Sequence, residues 1–85
     1  MKAFEFTVQS RIGIHARPAA YLCKKAKEYE SRITIYHGIK KANVKKIMDL
    51  MALGVAYQEK VRIEIEGSDE AVAYRELRAY CKENI

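Results

Sequence analysis

Three segments of the chain alternate apolar and polar residues with a period of two, and none of them is apolar on both sides. In VRIEIEG (61–67), Val61, Ile63 and Ile65 point one way and Arg62, Glu64 and Glu66 the other. Residues 2–9 repeat the pattern, with Phe4, Phe6 and Val8 opposite Glu5 and Thr7, and Ile33 and Ile35 alternate with Arg32, Thr34 and Tyr36. Successive strand residues face opposite sides of a sheet, so each segment has one face to bury and one to leave in water. A sheet made of such strands cannot carry helices on both sides, which argues against a doubly wound parallel architecture. After a turn at His37-Gly38, residues 39–44 read as a short, lysine-rich strand that pairs back.

The segments between the strands have helical spacing. Residues 17–29 place Ala19, Ala20, Leu22, Cys23, Ala26 and Tyr29 on one stripe with lysines opposite. A short helix is expected over about 46–53, ended by Gly54 in the position that favours a left-handed cap. Ser68 or Asp69 can cap a last helix over 69–83, which offers Val72 or Ala73, Leu77, Tyr80 and Cys81 to the core. The order is βαββαβα. One-sided strands in this order predict an α+β fold, an open-faced α/β sandwich with a four-stranded antiparallel sheet and three helices on one face. With 85 residues and no linker, low-complexity stretch or repeat, residues 1–85 are read as a single domain.

Composition narrows the function. No apolar run approaches the roughly 18 residues of a membrane span, and the first ten residues lack the apolar centre of an export signal. A cytoplasmic protein without membrane insertion is expected. Cys23 and Cys81 are then free thiols, and two cysteines alone cannot build a tetrahedral zinc site. The net charge of +5 favours negatively charged partners without choosing among them. Serine-base triads, glycine-rich phosphate loops and paired-carboxylate sites are absent, and neither a metal nor a cofactor is implied.

The chemistry concentrates in Gly13-Ile14-His15-Ala16-Arg17-Pro18, where the first strand hands over to the first helix. Pro18 suits the first helical position, because the residue before a proline disfavours the helical conformation. Neither Ala16 nor Arg17 is a side-chain cap, so the first N–H groups of the helix have no acceptor of their own. Such a start attracts an anion. His15 stands immediately before it, and Arg17 adds a planar, permanently charged donor. A neutral imidazole is nucleophilic near about pH 7, so phosphorylating His15 would place a dianion where donors wait.

IGIHARPAA (12–20) resembles the active-site segment of the HPr family, the histidine-containing phosphocarriers of the phosphoenolpyruvate-dependent sugar phosphotransferase system. VKKIMDLMALG (44–54) is similar to that family's second-helix signature, and EGSDE (66–70) also fits. The resemblance covers essentially the whole chain and implies the same open-faced sandwich. It implies that His15 accepts a phosphoryl group on Nδ1 from the phosphohistidine of enzyme I and passes it to an enzyme IIA domain of a sugar permease. Arg17 would stabilise the charge, with the backbone N–H groups of Ala16 and Arg17 as further donors. The chain would be a bacterial carrier, expected as a monomer, and not an enzyme.

The second helix leaves only Asp49 polar between Ile47 and Leu53. A short helix in a small domain cannot bury all its sides, so part of Ile47, Met48 and Met51 is expected outside as a partner-docking patch. Leu50 and Leu53 are expected in the core. Lys46 is a departure from the family: many members carry a serine here that a dedicated kinase phosphorylates, and lysine escapes that regulation. Ile12 is a second departure, since a polar residue often precedes the glycine, and it bears on transfer rate. His37 is read as a turn residue. Lys40, Lys41, Lys45 and Lys46 form a basic cluster, read as steering acidic partner surfaces, because no aromatic platform for nucleic acid accompanies it. Two alternatives remain open: a regulatory binding module on the same fold, and a carrier in a nitrogen-type phosphotransfer chain.

Overall fold

The structure, a computed structural model, describes residues 1–11, 13–14 and 16–85, and for Ala16 the backbone alone. Its elements follow the order β1 (Lys2–Thr7), α1 (Ala16–Ala26), β2 (Arg32–His37), β3 (Lys40–Asn43), α2 (Ile47–Ala52), β4 (Lys60–Glu66) and α3 (Glu70–Asn84). The four strands form one sheet in the order β1-β4-β2-β3, and every neighbouring pair is antiparallel. The last strand is thus inserted between the first two. β4 carries the strictest alternation of the four, and as a central strand it pairs on both edges, with Ile63 opposite Phe4 on one side and Ile35 on the other.

All three helices lie on one face, as the one-sided strands require. Ile33, Ile35, Val61, Ile63 and Ile65 are buried beneath Leu22, Leu50, Ala73 and Leu77. Each fully buried aliphatic side chain contributes roughly 1.5–3 kcal/mol. α3 packs on β1 and β4, α2 on β3, and α1 bridges α2 and α3. On the other face, Arg32, Glu66, Thr34, Glu64, Tyr36 and Arg62 stand in register without a helix over them. Cys23 and Cys81 are both buried and free, and burial pushes the Cys81 thiol up to about 12.

Several boundaries differ from the sequence reading. α1 ends at Ala26 rather than 29, because its last turn tightens: Glu28 and Tyr29 donate N–H to the carbonyls of Lys25 and Ala26, three residues back. Tyr29 still reaches the core, from the turn that follows. Pro18 is the third residue of α1 rather than the first, and Arg17 is helical before it. Both positions belong to the first turn, where the missing N–H of proline removes no helix bond. In α3 Ala73 is buried while Val72 is exposed, and Tyr80 is only half-buried.

Candidate functional site

The candidate site lies in the segment between β1 and α1. His15 and Ile12 lie outside the described residues, so the residues around them define its geometry. α1 opens at Ala16 with no acidic residue in its first turn, and Arg17 in that turn is exposed. The N–H groups of Ala16, Arg17 and Ala19 belong to the first turn, where no helical carbonyl can accept them, and Pro18 has none. Lys24 and Lys25 in the last turn complement the dipole at the C-terminus of α1, and no acidic side chain of its first turn does so at the other end.

The approach to this helix start is pinned by the loop between α2 and β4. Ile14, buried, donates its N–H to the Val55 carbonyl at 3.0 Å, and Gly13 donates to Ser10 at 2.9 Å. Gly13 has φ +78°, and a Cβ there would meet the Val55 oxygen at 2.5 Å. Glycine is thus required both by conformation and by close approach. The same loop holds the end of β1, since Val8 donates to Glu59 at 2.9 Å and Gln58 donates back to Val8 at 2.9 Å. Val55 is buried among core side chains.

Glu59 organises that loop. Its Oε1 accepts the Ala56 N–H at 2.7 Å and lies 3.2 Å from His37 Nε2. The Ala56 N–H holds the Glu59 carboxyl below the usual carboxylate range, against a smaller opposing effect of burial and with help from His37. His37 is therefore more than a turn residue: it closes β2 and reaches across to the loop, while its Nδ1 is buried without a partner. Sequence pattern could not reveal this link, because the two residues are distant in the chain and meet only through the register of the sheet.

The second helix divides its apolar residues. Leu50 and Leu53 are buried, as expected, whereas Met48 is 75% exposed and Met51 38%. Ile47 is half-buried and packs against the core. α2 lies directly against α1, so the exposed methionines belong to the helix beside the one that follows His15. Lys46 is the N-cap of α2 and makes no side-chain capping bond there.

The basic cluster is not uniform. Lys40, Lys41 and Lys46 are exposed. Lys45 is engaged, its Nζ donating to the Tyr29 carbonyl at 2.6 Å and tying the start of α2 to the turn after α1. No helix among the described residues is long and apolar enough to cross a membrane. The described residues also hold no cluster of side chains suited to a metal ion.

A sequence model of the family described as "PTS HPr component phosphorylation site" matches residues 2–83. The chain is 33% identical over 86 residues to the phosphocarrier protein HPr of Mycoplasma genitalium, covering 99% of this chain and 97% of that protein. Among solved structures, HPr-C-His from Thermoanaerobacter tengcongensis is similar with a TM-score of 0.92 at 35% identity, over 98% of this chain and 93% of that one. An HPr dimer from the same organism is similar with a TM-score of 0.76 at 35% identity, over 98% and 95% of the two chains. A one-sided sheet covered by three helices and a match along nearly the whole length lead to one conclusion: the chain belongs to the HPr family and is a phosphocarrier of the phosphotransferase system rather than an enzyme.

Proposed function

We propose that residues 1–85 act as a single carrier domain in the cytoplasm, with His15 as the covalent way station between enzyme I and the enzyme IIA domains of sugar permeases. The observation that carries this reading is the start of α1, which follows His15 directly, has no acidic residue in its first turn and exposes Arg17 there. A phosphoryl group on His15 meets first-turn N–H donors and a guanidinium rather than a competing carboxylate.

In the transfer step, the Nδ1 lone pair of neutral His15 forms a new N–P bond as the N–P bond of the donor phosphohistidine breaks. The donor ring keeps its remaining proton and leaves as neutral imidazole, and His15 becomes the phosphorylated imidazolium. Little covalent chemistry falls to the carrier, so positioning and charge stabilisation are its contribution. Arg17 and the backbone N–H groups of Ala16 and Arg17 supply the second. Met48 and Met51, with Ile47 at the edge, supply a flexible apolar docking patch for transient partners. With Lys46 in the regulatory position, the chain escapes phosphorylation by a serine kinase there.

The test is intact mass after incubation with phosphoenolpyruvate and a bacterial enzyme I, before and after mild acid. An acid-labile gain of one phosphoryl group, absent in His15→Ala, is expected. No gain, with the enzyme I active on another HPr, would overturn the carrier reading and favour a regulatory binding module.

A further inference from the structure

Outside the residues assigned to phosphoryl chemistry and docking, one polar link leads straight to the acceptor segment. It begins at the end of β2, where His37 Nε2 meets Glu59 Oε1 at 3.2 Å. The same carboxylate oxygen accepts the Ala56 N–H at 2.7 Å. Glu59 also donates its own N–H to the Ala56 carbonyl at 3.2 Å, so residues 56–59 form a closed ring of hydrogen bonds. The neighbouring Val55 carbonyl accepts the Ile14 N–H, and the Val55–Ala56 backbone is the surface on which Gly13 rests. Ile14 is the residue immediately before His15.

The loop pays a conformational penalty to hold this shape. Gln58 is the one residue other than glycine with positive φ among the described residues, at 70°, and such a conformation persists only when its surroundings enforce it. The enforcing contacts are the bonds from Glu59 to Ala56 and the pair of bonds between Val8 and residues 58 and 59.

We infer that Glu59, steadied by His37, is a positioning residue for phosphoryl transfer: it fixes the Val55–Ala56 backbone that pins Ile14 and thereby sets where His15 is presented. This rests on the carrier reading of His15. Glu59 touches no phosphoryl group. It acts through the loop, and an oxygen acceptor at this place is what the role requires, since one atom serves both Ala56 and His37. The His37 ring approaches Glu59 through Nε2 at 3.2 Å, and its Nδ1 is buried without a partner, so an apolar ring in its place removes that one polar contact.

The experiment follows phosphoryl uptake from phosphoenolpyruvate through a bacterial enzyme I, with the chain as varied substrate. For Glu59→Ala, kcat is expected to fall about 10- to 100-fold, the scale on which a reacting group displaced by up to about 1 Å loses rate. KM should stay unchanged, because the docking patch on α2 is untouched. Glu59→Gln, which keeps an acceptor oxygen, should restore most of the rate. Amide exchange should quicken at Ile14 in Glu59→Ala and stay slow at Ile63 in the centre of the sheet. Should Glu59→Ala fail to fold, His37→Phe carries the test, with kcat expected to fall severalfold.

Wild-type rates in both Glu59→Ala and His37→Phe would overturn the positioning role while leaving the carrier reading intact. A rise in KM alone would also overturn it, by moving Glu59 to the docking surface. No uptake by the wild-type chain would overturn the carrier reading, and this inference with it.

Discussion

The Asp69 carboxylate holds Ser31 rather than the helix it precedes. It accepts the backbone N–H of Glu30 at 2.8 Å and of Ser31 at 3.0 Å, and the Ser31 hydroxyl as well. Ser31 is the one buried polar residue among those described, so its hydroxyl needs an internal partner. Asp69 does occupy the N-cap of α3 but makes no side-chain capping bond. Glu70 turns back to accept the Gly67 N–H at 3.1 Å instead. The β4–α3 corner is thereby stitched to the start of β2.

Asp69→Asn should lower the melting temperature near neutral pH, because an amide cannot accept all three donors as a carboxylate does. The bond from the Ser31 hydroxyl, followed by that from the Glu30 N–H, holds the Asp69 carboxyl below its ordinary value of 3.8. A carboxyl depressed in the folded state contributes stability above its unfolded pKa and loses it as the pH falls through the folded one. The wild type should therefore lose melting temperature on acidification below about pH 3.8, and part of that loss should be missing in Asp69→Asn. Parallel acid profiles for the two proteins would refute it.

Lys46→Ser should stabilise the protein by about 0.5–2 kcal/mol. The N-cap of α2 has φ −117° and ψ 107°, an extended geometry that lets a serine hydroxyl accept a first-turn N–H, and lysine offers no acceptor there. Denaturant midpoints check this, with an unchanged slope showing that compactness is the same. The variant also gives an HPr serine kinase a hydroxyl to modify at position 46.

Two substitutions on α2 should separate core from docking. Leu50→Ala, at a residue 1% exposed, should cost about 2–5 kcal/mol. Met48→Ala, at a residue 75% exposed, should change stability by no more than about 0.5 kcal/mol while raising KM for enzyme I. A Met48 variant with unaltered KM would remove that side chain from the docking patch.

Arg17→Glu should slow phosphoryl transfer about 10- to 100-fold in both directions, by replacing a charge-assisted donor with a negative charge. Because Arg17 is exposed in the first turn of α1, the fold should survive, as circular dichroism would show. Rates within twofold of wild type would indicate that the backbone donors suffice.

The fold was legible where period and burial coincide. Ile33, Ile35, Val61, Ile63 and Ile65 are buried, and one-sided strands left no other place for three helices. The insertion of β4 between β1 and β2 was not written in any local pattern. Within 12–20 a candidate site was legible because a histidine and an arginine flank a helix start that no Ser, Thr, Asp or Asn at 16 or 17 caps. The shelf formed by Val55 and Ala56 was not, because backbone hydrogen bonds carry no residue signature beyond the glycine at 13. Of Ser68 and Asp69, the two candidate caps, Asp69 does take the N-cap position of α3, but its carboxylate serves Ser31 instead of the helix, and only three-dimensional closeness decides that. Lys45, read with Lys40, Lys41 and Lys46 as one basic cluster, differs from them for the same kind of reason: its ammonium closes on the Tyr29 carbonyl.

The strand order leaves β3 at the rim of the sheet, with one side of its backbone unpaired. An open strand edge is a template on which another chain can grow, and exposed lysines are a common guard against it. Lys40 and Lys41 are both exposed on that strand. Two copies meeting edge to edge would bring their lysine pairs together, and the repulsion would part them. The exposed lysines of β3 thus also resist aggregation through that edge of the sheet.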